Sequence, residues 1–414
     1  MSIPSALTYS VNSFPISRQG YKILPYSLST ANPGDTIQIS LPMNTIVDLG
    51  TLSVFGTVST SATGTTPGAL LPQNIESLID SVFFTVNGVQ ISNTYSYYNL
   101  LTSIFLDMQG EDKRSLRKVL QNSAPVPTPT ISTVVTNQPF EWHTWLGLPG
   151  TATTRMIDSS LLGDVRINIR LAPSTVLATI NATSATYQVN GLYGVIDCVS
   201  VDDGGVYHSL IAKKLESGPL QINYKDYYSF SLGPQPASFA GRFSVNTQSL
   251  DAIHCTLQPW SQANLAPAAV AGYDSAASNS SYFTRGVQSS AGFTNSLVTL
   301  NNIMYPSWGA TTLAETFSQT CKAFNEHTNM VGTVNPGIKD LTTFGQEYFV
   351  ASTRFNSPGW NGIESATRSG VDTRGSAAFA SWTLSATGSN NPIVFCETTK
   401  TLSIGAGRQI QVTA

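Results

Sequence analysis

Ser81-Val-Phe-Phe-Thr-Val86, followed by Asn87-Gly88 and then Val89-Gln-Ile91, decides the fold class. Two short runs of β-branched and aromatic residues flank Asn-Gly, the pair that best tolerates the two positive φ angles of a type I′ turn, so the stretch predicts a β-hairpin. The pattern repeats outward. Asp35-Thr-Ile-Gln-Ile-Ser-Leu41 alternates strictly after the turn Asn32-Pro-Gly34, and further strands are predicted at 51–57, 164–171, 187–201, 221–230, 243–245, 252–257, 348–355, 379–384, 393–397 and 409–412. Runs this short, each closed by Gly, Pro, Asn or Ser, mark an all-β sandwich or barrel.

Helical periodicity is confined to three places. Residues 96–108 carry Tyr97, Leu100, Leu101, Ile104 and Phe105 on one face, and 311–324 repeat the spacing with Leu313, Phe317, Cys321 and Phe324. A third helix is predicted at 206–215, opened by Asp202-Asp203 as cap residues and closed by Ser217-Gly218-Pro219. The two longer helices expose an internal duplication: Val86-Asn-Gly-Val-Gln-Ile91 precedes the first, and Leu300-Asn-Asn-Ile-Met-Tyr305 precedes the second. Four segments follow: an N-terminal arm at 1–19, a first β module at 20–203, a connecting helix at 204–218 and a second module at 219–414. Two modules also suit 414 residues, since single cores stop growing near about 250–300.

Composition narrows the function. Only 11% of residues are charged, 21 basic against 24 acidic, where an ordinary soluble domain has about 25%. The net charge of −3 supplies no electrostatic footprint for nucleic acid, and between Met1 and Pro25 the only charged side chains are Arg18 and Lys22. No apolar run approaches the ~20 residues of a membrane span, and no basic segment leads into an apolar signal region. The segments 123–139, with four prolines, and 264–295, rich in Ala, Ser and Gly, exceed ordinary connections and are expected to project as outward loops.

The catalytic inventory is thin. His143, His208, His254 and His327 show no HExxH spacing, and GxSxG, GxxxxGK[ST] and GxGxxG are absent; Gly405-Ala-Gly407 reads as a turn between strands. Cys198, Cys255, Cys321 and Cys396 lie far apart and read as free thiols. Strand alternation sends His254 and Cys255 to opposite faces, which predicts a buried thiol and a rim imidazole. Lys113-Arg-Ser-Leu-Arg-Lys118 reads as an exposed or subunit-facing helix surface, and Asn181 and Asn279 open sequons. No catalytic, cofactor or metal residues are assigned. Trp142, Trp145, Trp260, Trp308 and Trp360, read as loop residues, leave open a β-sandwich fibre, spike or carbohydrate-binding module, although Trp serves subunit contacts equally well.

Asn32-Pro-Gly-Asp35, Leu71-Pro-Gln-Asn-Ile-Glu-Ser-Leu-Ile-Asp-Ser-Val82, Val86-Asn-Gly-Val89 and Tyr97-Tyr-Asn-Leu-Leu101 resemble the first jelly roll of double jelly-roll major capsid proteins from tailless icosahedral double-stranded DNA viruses. Arg170-Leu-Ala-Pro173, Val199-Ser-Val-Asp-Asp203, Ala212-Lys-Lys214, Tyr224-Lys-Asp-Tyr-Tyr228 and Phe243-Ser-Val-Asn-Thr-Gln-Ser-Leu250 resemble the crossover between the rolls in capsid proteins of large and polinton-like eukaryotic DNA viruses. The resemblance covers most of residues 20–257. It implies two tandem eight-stranded jelly rolls with a few short helices, and a non-enzymatic structural subunit forming a homotrimeric, pseudo-hexagonal capsomer in an icosahedral shell of the virion, assembled inside the host cell. Neighbouring capsomers and minor capsid or cement proteins are the implied partners. In that family a membrane or other proteins commonly separate genome from shell, so an internal membrane is a further implied partner and direct contact with nucleic acid is not expected.

Overall fold

A computed structural model describes residues 16–108, 134–259, 295–324, 338–356, 369–385 and 390–414, less 27–28, 73, 93–95, 202–204, 237, 339 and 375–378, and with them 283, 285–286 and 293. The first half contributes β1 (Ile16–Ile23), β2 (Thr30–Ala31), β3 (Thr36–Ser40), β4 (Ile46–Leu70), β5 (Ile79–Val86), β6 (Val89–Gln90), α1 (Tyr98–Asp107), β7 (Gln138–Trp142), α2 (Leu148–Thr151), β8 (Met156–Asp158), α3 (Ser159–Leu162), β9 (Val165–Leu171) and β10 (Ala178–Val201). Helix α4 (Val206–Ser217) leads to β11 (Leu220–Ser231), β12 (Ser238–Ser244), β13 (Leu250–Pro259), β14 (Asn295–Leu300), β15 (Ile303–Ala310), α5 (Leu313–Ala323), α6 (Leu341–Glu347), β16 (Val350–Arg354), β17 (Phe379–Ser385), β18 (Asn390–Gly405) and β19 (Gln409–Thr413).

Four antiparallel sheets result, and among the described residues none takes strands from both sides of α4. The first half builds β1-β10-β4-β7 opposite β3-β9-β5-β6; the second builds β11-β18-β13-β16 opposite β12-β17-β14-β15. Setting aside the short additions β2, β8 and β19, each half has eight strands, paired by rank in the same way: first with eighth, third and sixth, then second with seventh, fourth and fifth. Two chains of strands that close in the same order are one jelly roll made twice.

The duplicated hairpins agree in detail. Asn87 and Gly88 have φ of 50° and 79°, while Asn301 and Asn302 have 51° and 66°, so both turns use two left-handed residues. Register follows: Val86 pairs with Val89 and Leu300 with Ile303. Alternation sets the buried faces as expected, with Ile37 and Ile39 inward on β3, and Phe239 and Phe243 inward on β12. Each sandwich buries one large indole: Trp142 Nε1 donates to the Ile75 carbonyl at 3.2 Å, and Trp382 Nε1 donates to Ser296 Oγ at 3.1 Å.

Two elements exceed the sequence reading. β4 and β10, 25 and 24 residues long, pair almost end to end because left-handed residues at Asn181 and Gly191 let bulges bend the ladder and keep register. Helix α1 is buried on nearly every side rather than along one stripe, with Phe105 alone half-exposed. At α4 the N-cap is Gly205, with φ of 93° and no side-chain cap; Asp202 and Asp203 lie outside the described residues. α5 does have a capping box, Glu315 N donating to Thr312 Oγ1 at 3.2 Å and Thr312 N to Glu315 Oε2 at 3.1 Å; the amide and hydroxyl of Thr311, with the Thr312 amide, hold the Glu315 carboxyl below its ordinary range.

Candidate assembly surfaces

The two rolls meet along a built seam. Phe105 on α1 projects edge-on to Tyr227, His254 and Phe324 of the second roll, with ring centroids 5.4–5.7 Å apart, a geometry in which ring edges meet faces. Arg285, 1% exposed, donates from Nη1 to Ser103 Oγ at 3.0 Å and pairs with Asp107 on α1. Tyr224 donates its hydroxyl to the Ile91 carbonyl, and Arg408 Nε donates to the Ser160 carbonyl at 3.0 Å. Burial pushes the Tyr224 hydroxyl well up, with the charge of Asp226 adding to it, so it stays a donor. Residues 151–153 also dock on β11: Thr153 N donates to Asn223 O at 2.9 Å, and Lys225 N to Thr151 Oγ1 at 2.9 Å. An otherwise open sheet edge is thereby covered by the first roll.

This seam explains the correction to His254. Alternation does separate it from Cys255, but the face taken as a rim is buried beneath α1 and α5, and His254 is 0% exposed, its Nδ1 2.9 Å from Ser352 Oγ. Nε2 lies 3.7 Å from Glu397 Oε2, too far for a hydrogen bond. Burial alone would raise Glu397; the imidazole of His254 and the charges of Lys225 and Arg354 overcome it and bring the carboxyl down to about 2. Cys255 and Cys396 are buried, and that burial pushes both thiols up, the opposite of a reactive cysteine.

The tryptophan reading is corrected too. Trp142 lies within β7 and Trp145 is 5% exposed with Nε1 donating to the Leu52 carbonyl at 2.8 Å; both serve the first core rather than a loop surface. Trp308 is 54% exposed on β15 beside exposed Ile303 and Met304, while Trp260 and Trp360 lie outside the described residues. His208 is exposed, His143 half-buried, and His327 outside. The same holds for Lys113–Lys118, Asn279, 123–133 of the 123–139 loop, most of the 264–295 loop and the arm through Pro15. Of those loops, Gln138 and Pro139 belong to β7 and Phe283, Arg285 and Phe293 are buried, so these parts do not project, while Asn181 is exposed on β10. Among the described residues no cluster of three metal-ligating side chains exists, and no helix is long and apolar enough to cross a membrane.

Exposed apolar groups gather at two further places. β1, Tyr21 included, is exposed up to half-buried Ile23, and its continuation shows Leu24 and Tyr26 to solvent. α4 buries none of its residues and covers a cleft of about 500 Å³ lined by Met156, Ile157, Leu161, Ile211, Leu220 and Ile404. Tyr207 reaches Asp158 at that mouth; burial, with the charge of Asp158, pushes its hydroxyl up to about 12.

No protein-family model matches this sequence, and no curated protein does. Solved structures do match. The PBCV-1 protein VP54, fitted into a reconstruction of the virophage Sputnik, superposes with a TM-score of 0.61 at 12% identity, over 97% of each chain. The Faustovirus major capsid protein gives 0.62 at 12% identity over 95% of this chain and 91% of its own, and the Sputnik virophage structure gives 0.52 at 12% over 96% and 88%. At such identity the likeness establishes the fold, which is the double jelly roll.

Proposed function

We propose that the chain is a viral major capsid protein: a structural subunit of the virion shell, without turnover chemistry, that self-associates as a homotrimeric pseudo-hexagonal capsomer beside neighbouring capsomers. The observation that supports this reading is the doubled strand order over nearly the full length shared with the capsid structures, since two rolls side by side give one subunit two of the six corners of a hexagon. The domain division follows the sequence, 20–203 and 219–414 about the 204–218 connection, with the early start of β1 extending the first unit back to Ile16. Few charges and exposed apolar edges on β1 and β15 suit surfaces covered by identical neighbours.

The N-terminal arm acts as a strap at the base in this reading. β1 begins opposite Val201, close to α4, and the fifteen residues before it carry Ile3, Leu7, Val11 and Phe14 and no charged side chain. Minor capsid proteins, and a membrane where one is present, meet this base, and nucleic acid does not.

Sizing on a calibrated column, repeated by sedimentation in about 0.1 M and about 1 M NaCl, tests the reading, because the Debye length falls from about 10 to about 3 Å between them. A salt-resistant trimer is expected, as apolar burial survives screening. A monomer that binds glycans would instead favour the fibre or carbohydrate-binding module; a trimer that dissociates at the higher salt would show that ion pairs hold it.

A further inference from the structure

One cluster on the seam-facing sheet of the second roll has the parts of a reaction. Lys225 on β11 and Asp251 on β13 stand on the two strands that flank β18, and β18 sets Glu397 and Thr399 between them. Lys225 Nζ lies 2.6 Å from Asp251 Oδ2, 3.4 Å from Glu397 Oε1 and 3.1 Å from Thr399 Oγ1. The other carboxyl oxygen, Asp251 Oδ1, accepts from Ser249 Oγ at 2.7 Å, while Thr399 donates its hydroxyl to Oδ2. The Lys225, Asp251 and Glu397 side chains are 8%, 0% and 6% exposed. From this geometry we infer that Lys225 and Asp251 become joined by an autocatalytic isopeptide bond, with Glu397 as the proton relay.

Each group has a place in the chemistry. A nitrogen hydrogen-bonded to a carboxylate oxygen is already within about 3–3.5 Å of its carbon, the separation of a near-attack arrangement. Glu397 relays one proton from the Lys225 ammonium to Asp251 Oδ2, and the freed amine adds to Cγ of the now neutral acid. Negative charge gathers on Oδ1, where the Ser249 hydroxyl is already aimed. The C–Oδ2 bond then breaks; Oδ2, already carrying the relayed proton, takes a second from nitrogen and departs as one water, and one N–H remains in the amide. Charge balances, because a cation and an anion become a neutral link, and no oxidant or cofactor is needed. Removing both charges also relieves the desolvation cost of a buried pair. His254 Nε2 stands 3.7 Å from the far oxygen of Glu397, and Tyr227, paired with Glu397 across the ladder, walls the site beside Phe105.

The neighbouring buried pair Lys400–Asp226 is an internal contrast. Among the described residues the Lys400 ammonium meets no second carboxylate, so it remains an ion pair and one link per chain is expected. Such a link closes the second roll across its central strand and is independent of the capsid reading.

The test is the intact mass of the full chain, unfolded in denaturant after incubation in the folded state until the mass is constant. A deficit of one water is expected, and peptide mapping should recover a branched peptide joining Lys225 to Asp251. Full sequence mass overturns the proposal, as does a deficit located in any linear peptide. Glu397→Gln and Lys225→Met should each restore full mass in protein whose folding is verified by circular dichroism. A deficit persisting in either variant overturns the assignment, and if neither folds, the mass and map of the parent chain decide alone.

Discussion

The two rolls share one strand order and differ in what fills it. In the first, the described ion pairs are peripheral: Arg18 with Asp48 and Asp197, Arg166 with Asp164, and Arg170 with Asp80, each arginine about half exposed. In the second, besides the exposed Arg374–Asp372 pair, ionisable side chains are interior: Lys225, Asp226, Asp251, His254, Glu397 and Lys400 are all buried on one sheet. The reason is topological. β18 is the second strand of a sheet that has its partner sheet on one side and α1 and α5 at the seam on the other, so 391–402 are buried without a break. A jelly roll therefore specifies ladder order, while the neighbour on its outer face decides whether polar residues there are solvated or must find partners.

Breaking an interior pair should have the largest effect. Asp226→Leu strands the Lys400 ammonium in the core and is expected to cost about 3–5 kcal/mol, whereas Asp226→Leu with Lys400→Met should recover most of it. Chemical denaturation of both variants checks this; equal losses would show that the two charges are not coupled.

Phe105→Ala addresses the seam itself. A half-buried ring should cost roughly half of the about 3–5 kcal/mol of a fully buried one, and should do so by uncoupling the rolls. Calorimetry is then expected to resolve two transitions where the parent has one, and a single shifted transition would locate the loss within one roll.

Acid separates the rolls by sign. Glu397 titrates lower folded than unfolded, so its contribution is present above the ordinary carboxylate range near about 4.3 and is lost as pH falls toward about 2. Asp80 in the first roll is raised by burial, against the charge of Arg170, so its protonation favours the fold as pH drops through its raised value. Hydrogen exchange at decreasing pH should show β11 and β18 opening before β5 and β9; the reverse order would contradict both directions.

The smallest effect belongs to the exposed pairs. Arg18→Gln, with a guanidinium 47% exposed, should leave the melting temperature unresolved from the parent at physiological salt. A clear loss would mean that β1 is held by charge.

The sequence and the tertiary structure divide along the same line. Asn87-Gly88 and Asn301-Asn302 are local signals, since a turn with two positive φ angles is decided by its own residues; the first discloses its hairpin, whereas the second marks only the duplication and leaves its strands β14 and β15 unread. The apolar alternations of β3 and β5 were equally legible, whereas β12 is legible only at its end, as 243–245. The outer half of β4 was not, because its Ser, Thr, Ala and Gly residues pair with β10 by backbone hydrogen bonds that leave no side-chain pattern. Glu397-Thr-Thr-Lys-Thr401 would pass for a solvated stretch, and nothing within the segment tells that a helix about three hundred residues earlier covers it. Arg285 has no local signal either; Asp107, 178 positions away, gives it a partner. Composition and local turn chemistry determined that this chain is a doubled β sandwich poor in charge. Which of its few charges are buried, that His254 is interior, and that Lys225 lies against Asp251 were decided only by packing, because burial depends on what covers a strand, and a strand's own residues do not carry that information.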